Sequence, residues 1–168
     1  MSEEELAATV LAAQRGDTMA MDALIDELMP YVGKICGAIA LENGEDAAQN
    51  AMIAVLRNLR KLREPAALRG WARTIATREA VRVATQDRQR RFVSELPDQV
   101  PAPVEIATNV EVRDQLARLE PEQRAVLVLR DLEGLREEEV ADLLALPTGT
   151  VKSRLHRARA QFRKGWAQ

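Results

Sequence analysis

Only three residues, Ala145 to Pro147, separate two short amphipathic stretches near the C-terminus, and that spacing leaves few folds open. Counting about 100° per residue, Leu155, Ala158 and Phe162 fall within roughly 40° of Val151. The run therefore predicts a helix beginning near Thr148 with one apolar edge. Lys152, Ser153, His156, Arg157, Arg159 and Arg163 spread over the opposite arc. Upstream, Glu137 to Leu144 forms a second short helix with Val140, Ala141 and Leu144 on its apolar side. Two short helices joined by three or four residues, the second one basic, make a helix-turn-helix pattern. Ala141 is small enough to let the pair approach closely. The acidic first helix would repel phosphate, so the later helix is the reader, and its Lys, Arg, Ser and His suit a DNA major groove. The competing reading is a solvated basic face on an ordinary helix.

Charge along the chain supports the first reading. The formal net charge of −2 averages four blocks of alternating sign. Residues 1–56 hold two basic and ten acidic side chains, and residues 57–91 hold eleven and three. Residues 92–147 hold five and thirteen, and residues 148–168 hold six and none. Two basic blocks thus offer two surfaces for phosphate.

Helical periodicity runs through nearly all of the first 91 residues, and with 3% aromatic residues the chain favours an all-α fold over a sheet. Leu6, Val10 and Ala13 open a first helix that ends at Gly16-Asp17. Leu24, Leu28, Tyr31, Val32, Ile35 and Ile39 mark a long second helix, interrupted or bent near Pro30. A third begins with Glu45 and Asp46, acids that suit the positive end of a helix dipole, and carries Ala48, Met52, Val55, Leu56 and Leu59. Leu62 to Ala67 reads as a loop, and a fourth helix from about Leu68 packs through Trp71, Ile75 and Val83. From Phe92 to Asn109 the period breaks among Pro97, Pro101 and Pro103, which predicts a flexible linker. Val112, Leu116 and Leu119 then mark a helix, and Pro121 is placed as the first residue of another. The expected organisation is a helical domain at 1–91, a linker at 92–109 and a helix-turn-helix domain at 110–168.

Cys36, the single cysteine, sits among apolar residues and reads as a small buried hydrophobe. One Cys and one His cannot build a metal cluster, and no nucleophile–base pair or phosphate loop is recognisable. No cofactor and no catalysis are expected. The acidic start lacks a secretory pattern, and no apolar run approaches the roughly 20 residues that span a bilayer. A soluble, cytoplasmic protein without membrane insertion is expected.

The chain resembles the extracytoplasmic-function (ECF) sigma factors of bacterial RNA polymerase. The C-terminal half is similar to their region 4, from Leu119-Glu120-Pro121-Glu122-Gln123-Arg124 through Leu129–Leu135 and Glu139-Val140-Ala141 to Gly149–Arg159. The N-terminal half resembles region 2, in Glu45-Asp46-Ala47-Ala48-Gln49 and Trp71-Ala72-Arg73-Thr74-Ile75-Ala76. The likeness extends from about Ala12 to Lys164.

What the resemblance implies is a protein that brings core polymerase to promoters. It implies that Glu45, Asp46, Gln49 and Met52 dock on the β′ clamp helices, and that region 4 meets the β flap. It gives the loop from Lys61 to Ala67 a flipped base of the −10 element, with Lys61, Arg63, Arg69, Trp71, Arg73, Arg78 and Arg82 holding the strand. It gives the −35 element to Thr150, Lys152, Ser153, His156 and Arg157, with Arg154 and Arg159 nearer the phosphates. An anti-sigma protein is a further implied partner.

Some positions depart from the family pattern. Met52 and Leu56 stand where Phe and Trp are usual, Arg136 where Ser or Thr often caps the helix, and Ala145 where a turn Gly is common. Trp71 also reads as a core residue supporting the loop, His156 as a solvated side chain, and Asp46 and Gln49 as a plain helix start. Arg88, Arg90 and Arg91 read as a solvated helix end or as phosphate contacts. Two other functions stay open: a free-standing helix-turn-helix regulator that binds duplex DNA alone, and a sigma-like decoy that sequesters an anti-sigma protein.

Overall fold

The structure, a computed structural model, describes residues 1–93 and 110–167, and these are helices and turns without a strand. Helix α1 (Glu3–Gln14) starts on a capping box: Ser2 Oγ accepts the Glu5 N–H at 3.2 Å, and the Ser2 N–H donates to Glu5 Oε2 at 2.8 Å. Helix α2 (Thr18–Ala40) is capped by Asp17, whose Oδ1 accepts the Ala20 N–H.

Of the two expected outcomes at Pro30, an interruption does not occur: α2 runs through it. Its missing N–H costs a helical bond, but Pro30 is exposed, so water can serve the freed carbonyl. Leu24, Leu28, Val32, Ile35 and Ile39 bury one face on both sides of it.

After a 3₁₀ turn at Leu41–Asn43, helix α3 (Gly44–Asn58) begins in contact with the α2 backbone. A Cβ on Gly44 would lie 2.6 Å from Gly37 Cα, so only glycine allows the two helices to meet there. Helix α4 (Leu68–Val93) buries Leu68, Ala72, Ala76, Ala80 and Ala84, a stripe spaced by four residues. Small side chains shorten the distance between helix axes, so α4 lies close against α2 and α3. Trp71, Ile75 and Val83, expected to do this packing, flank the stripe and are only partly buried.

Helix α5 (Val110–Ala117) opens the second unit. Helix α6 (Pro121–Leu127) starts on Pro121 as expected and runs into a π-helical turn at Val128–Leu132. Helices α7 (Glu137–Leu144) and α8 (Thr148–Trp166) complete it. Its core gathers Leu116, Leu119, Val126, Leu129, Val140, Ala141, Val151, Leu155 and Ala158. On α7 the buried leucine is Leu143; Leu144, the expected one, is half-buried.

The two cores interlock. Leu41 of the first unit packs into the second core, while Ala125 and Val128 of the second pack into the first. Of the expected linker, Phe92 and Val93 are the last turn of α4, and residues 94–109 lie outside the described residues.

Candidate nucleic-acid interface

The turn between α7 and α8 makes the second helix available. Ala145 ends α7 in the left-handed region, at φ 54° and ψ 47°. The Leu146 N–H returns to Ala141 O at 2.9 Å, so the chain reverses within three residues. Arg136 provides no capping acceptor, but its own N–H donates to Glu139 Oε2 at 2.7 Å, and that bond holds the Glu139 carboxyl below the usual carboxylate range.

Burying Val151, Leu155 and Ala158 turns the opposite side of α8 to solvent. Lys152, Ser153, His156 and Arg157 are exposed there, with Thr150 half-buried at the edge. Ser153 Oγ donates to Thr150 O at 3.0 Å. Lys152 Nζ lies 3.8 Å from Glu137. Two arginines are spoken for within the unit: Arg154 meets Glu122 at 2.7 Å, and Arg159 grips Asp131 with Nε at 3.0 Å. The bond from Asp131 raises the Arg159 pKa further. On this face His156 and Arg157 are exposed and carry no ion pair among the described residues, so both are open to an incoming phosphate or base edge.

On α3, Glu45, Asp46 and Gln49 are exposed, but Met52 is 3% exposed and belongs to the core. Met52 therefore has no surface to offer a partner. The exposed apolar residue is Ile53, 47% accessible. Asp46, Gln49 and Ile53 are spaced three and four apart and share one face. That spacing was the signal in the sequence, masked by the stronger apolar pattern of Met52 and Val55.

The α3–α4 connection consists of 3₁₀ turns at Leu59–Lys61 and Pro65–Ala67 around a short extended segment. Lys61 and Arg63 are exposed on it, and so is Arg60, which sequence reasoning passed over. Trp71 is half-buried against the first core, as its supporting reading expects. Arg69 pairs with Glu27 and Arg82 with Glu79. Arg73 and Arg78 turn toward the second unit. Arg78 Nε donates to Leu143 O at 3.1 Å, and Arg73 lies within the electrostatic reach of Tyr31 and Glu139. The basic block thus divides between an outward loop and an inward helix face.

An apolar groove of about 340 Å³ runs along the second unit where it meets Ala38 of α2, lined also by Val112, Leu116, Leu127, Leu132 and Phe162. No cluster of three metal-ligating side chains occurs among the described residues, and none of their helices is long and apolar enough to cross a membrane.

Residues 24–91 match the model for Sigma-70 region 2, and residues 109–162 match that for Sigma-70, region 4. The ECF RNA polymerase sigma factor SigM of Mycobacterium tuberculosis is 32% identical, over 96% of this chain and 83% of that protein. The ECF sigma factor SigE of Mycolicibacterium smegmatis is 31% identical, over 95% of this chain and 68% of its own length. CnrH in complex with the cytosolic domain of CnrY has a similar fold, with a TM-score of 0.63, 21% identity and 95% of each chain covered. The sigma factor RpoE of Bartonella quintana, in complex with the anti-sigma factor NepR, gives a TM-score of 0.67 at 18% identity, over 87% of this chain and 96% of that one. With both sigma regions in order and relatives matched along nearly its whole length, the chain belongs to the ECF RNA polymerase sigma factors, which carry no catalysis of their own and direct core polymerase to promoters.

Proposed function

We propose that this sigma factor divides its work among three surfaces, over a region 2 domain at 1–91, a linker at 92–109 and a region 4 domain at 110–168. The α3 face of Glu45, Asp46, Gln49 and Ile53 docks on the β′ clamp helices. The Leu59–Ala67 loop, with Lys61 and Arg63, receives an unpaired −10 base, and Arg69 and Arg82 hold the strand beside it, joined by Arg73 and Arg78 once the units part and free them from the second unit. Base capture needs a pocket at single-stranded DNA, and tracking the backbone needs Arg and Lys. Helix α8 enters the −35 major groove through Lys152, Ser153, His156 and Arg157. The observation that carries this reading is the exposed basic face of α8, set directly behind a three-residue turn.

The apolar groove beside α8, where Leu132 is 51% exposed, is the surface offered to the β flap. An anti-sigma protein as partner is supported by the structural neighbour RpoE, solved in complex with the anti-sigma factor NepR. The factor acts in the cytoplasm, where core polymerase works.

Run-off transcription with core polymerase on a fragmented genomic library tests the proposal and returns the promoter. Arg157→Ala should weaken −35-dependent initiation roughly tenfold, the scale of one good base or phosphate contact, and leave core affinity unchanged. Asp46→Ala and Gln49→Ala should lower core affinity and spare DNA contact. Equal loss of core binding in both sets would overturn the division of labour. Tight duplex binding without polymerase would instead favour a free-standing regulator.

A further inference from the structure

The loop between α3 and α4 is two single 3₁₀ turns, Leu59–Lys61 and Pro65–Ala67, joined by an extended segment. Arg60, Lys61, Arg63 and Glu64 all face solvent, and only Leu59 and Leu62 sink side chains into the core. Its other fastening comes from far away in sequence. Gln14, the last residue of α1, directs its Nε2 at the loop backbone, donating to Leu59 O at 2.9 Å and to Leu62 O at 2.8 Å. One amide nitrogen therefore spends both hydrogens on carbonyls that bracket the two cations Arg60 and Lys61. Helix α1 also packs along the Pro65–Ala67 turn, so the same element supports both ends of the loop.

A glutamine at a helix C-terminus ordinarily points into water. Gln14 is half-buried, and its amide serves Leu62 O, which accepts no backbone N–H among the described residues, and adds a second donor to Leu59 O, which already accepts the Leu62 N–H at 3.1 Å. If the amide is lost, Leu62 O needs water or a new partner and Leu59 O is left with the Leu62 N–H alone, so the segment between them gains freedom. A loop that must be ordered on binding loses affinity and selectivity to the entropy of ordering.

We propose that Gln14 is a positioning residue for −10 recognition: its amide clamps the Leu59–Ala67 loop in the shape that receives an unpaired base. Gln14 itself touches no DNA. The proposal rests on the −10 reading of this loop given above.

The test uses the full chain, core polymerase and the promoter returned by the library experiment, with single-base changes in its −10 element. Gln14→Met keeps length and flexibility but has no donor; Gln14→Lys keeps donors that can reach both carbonyls. Core affinity and thermal midpoint are measured beside initiation. In Gln14→Met, discrimination between the native −10 element and its variants should fall roughly tenfold, about the worth of one net hydrogen bond, with core affinity unchanged. Gln14→Lys should restore it. Undiminished discrimination in Gln14→Met overturns the clamp, and so does failure of Gln14→Lys to recover. Should Gln14→Met not fold, Gln14→Lys decides alone: native discrimination supports the donor role, and its loss overturns it. Failure of the wild-type protein to start transcripts sinks the sigma reading of the loop itself, a distinct result.

Discussion

Tyr31 is the single tyrosine of the chain, and it reports on a contact between the two units. Its hydroxyl donates to Glu133 Oε2 at 2.8 Å, from α2 to the residue just beyond the π-helical turn. Burial first, then the bond to Glu133, pushes the phenol up to about 12 from its usual 10. A raised acid of this kind favours the protonated state when folded. The contact is thus fully present below about pH 10 and is lost as pH rises through about 12. Phenolate absorbance near 295 nm should accordingly show one group titrating near 12. Glu133→Gln should bring the midpoint down part of the way, and separation of the units should return it to about 10. A wild-type midpoint at 10 would mean that Tyr31 is solvated and the contact absent. The sequence marked Tyr31 only as an apolar position of α2. Its partner is 102 residues away, beyond what local spacing can show. Gln14 was invisible for the same reason, whereas His156 and Arg157 were legible because their face follows from the period of one helix.

At the scale of elements, the helix-turn-helix was readable almost entirely from punctuation and period: Pro121 starts α6, Ala145 to Pro147 make the turn, and Val151, Leu155 and Ala158 bury one edge. What the pattern could not show was where tertiary packing overrides a local signal. Pro30 stays inside α2 because apolar contacts continue on both sides of it, and α4 packs by alanines that carry little weight in a hydrophobicity pattern. Ala145 is a case where local chemistry is unfavourable and is tolerated. Its φ of 54° places a Cβ in the left-handed region, which costs an L-residue roughly 1–2 kcal/mol. Glycine adopts that conformation without strain but loses more backbone entropy on folding. The balance predicts that Ala145→Gly stabilises the region 4 unit by about 0.5–1 kcal/mol. A thermal melt should show the midpoint rising by a few degrees, with −35 recognition retained because no α8 side chain is altered. A lower midpoint would show that the surroundings already relieve the strain.

At the scale of the molecule, the interface between units joins an apolar plug to a buried cation, and the two act in opposite directions. Leu41, 8% exposed, inserts into the second core from the end of α2. Burying a leucine contributes roughly 1.5–3 kcal/mol, and Ala125 and Val128, packed into the first core, add to that attraction. Arg124, 6% exposed, lies at the same junction with its Nε lacking a hydrogen-bond partner among the described residues. Desolvation lowers it to about 10; Glu42 offsets part of that, and Arg91 and Arg88 add to it. A cation whose pKa falls on folding opposes the folded arrangement at every pH below about 10, and relief comes only as pH climbs toward its unfolded value. Arg124 therefore works against the packing that Leu41 favours. Packed together, a chain of this length should scatter with a radius of gyration of about 15 Å. Leu41→Asn should let the units part, raising the radius above roughly 20 Å as for tethered domains, and should split thermal unfolding into two transitions. Arg124→Met should do the reverse, keeping one transition and raising its midpoint. If Leu41→Asn leaves both the radius and the single transition unchanged, the plug is not what holds the units together, and the polar contacts of Tyr31 and Arg78 must carry that role.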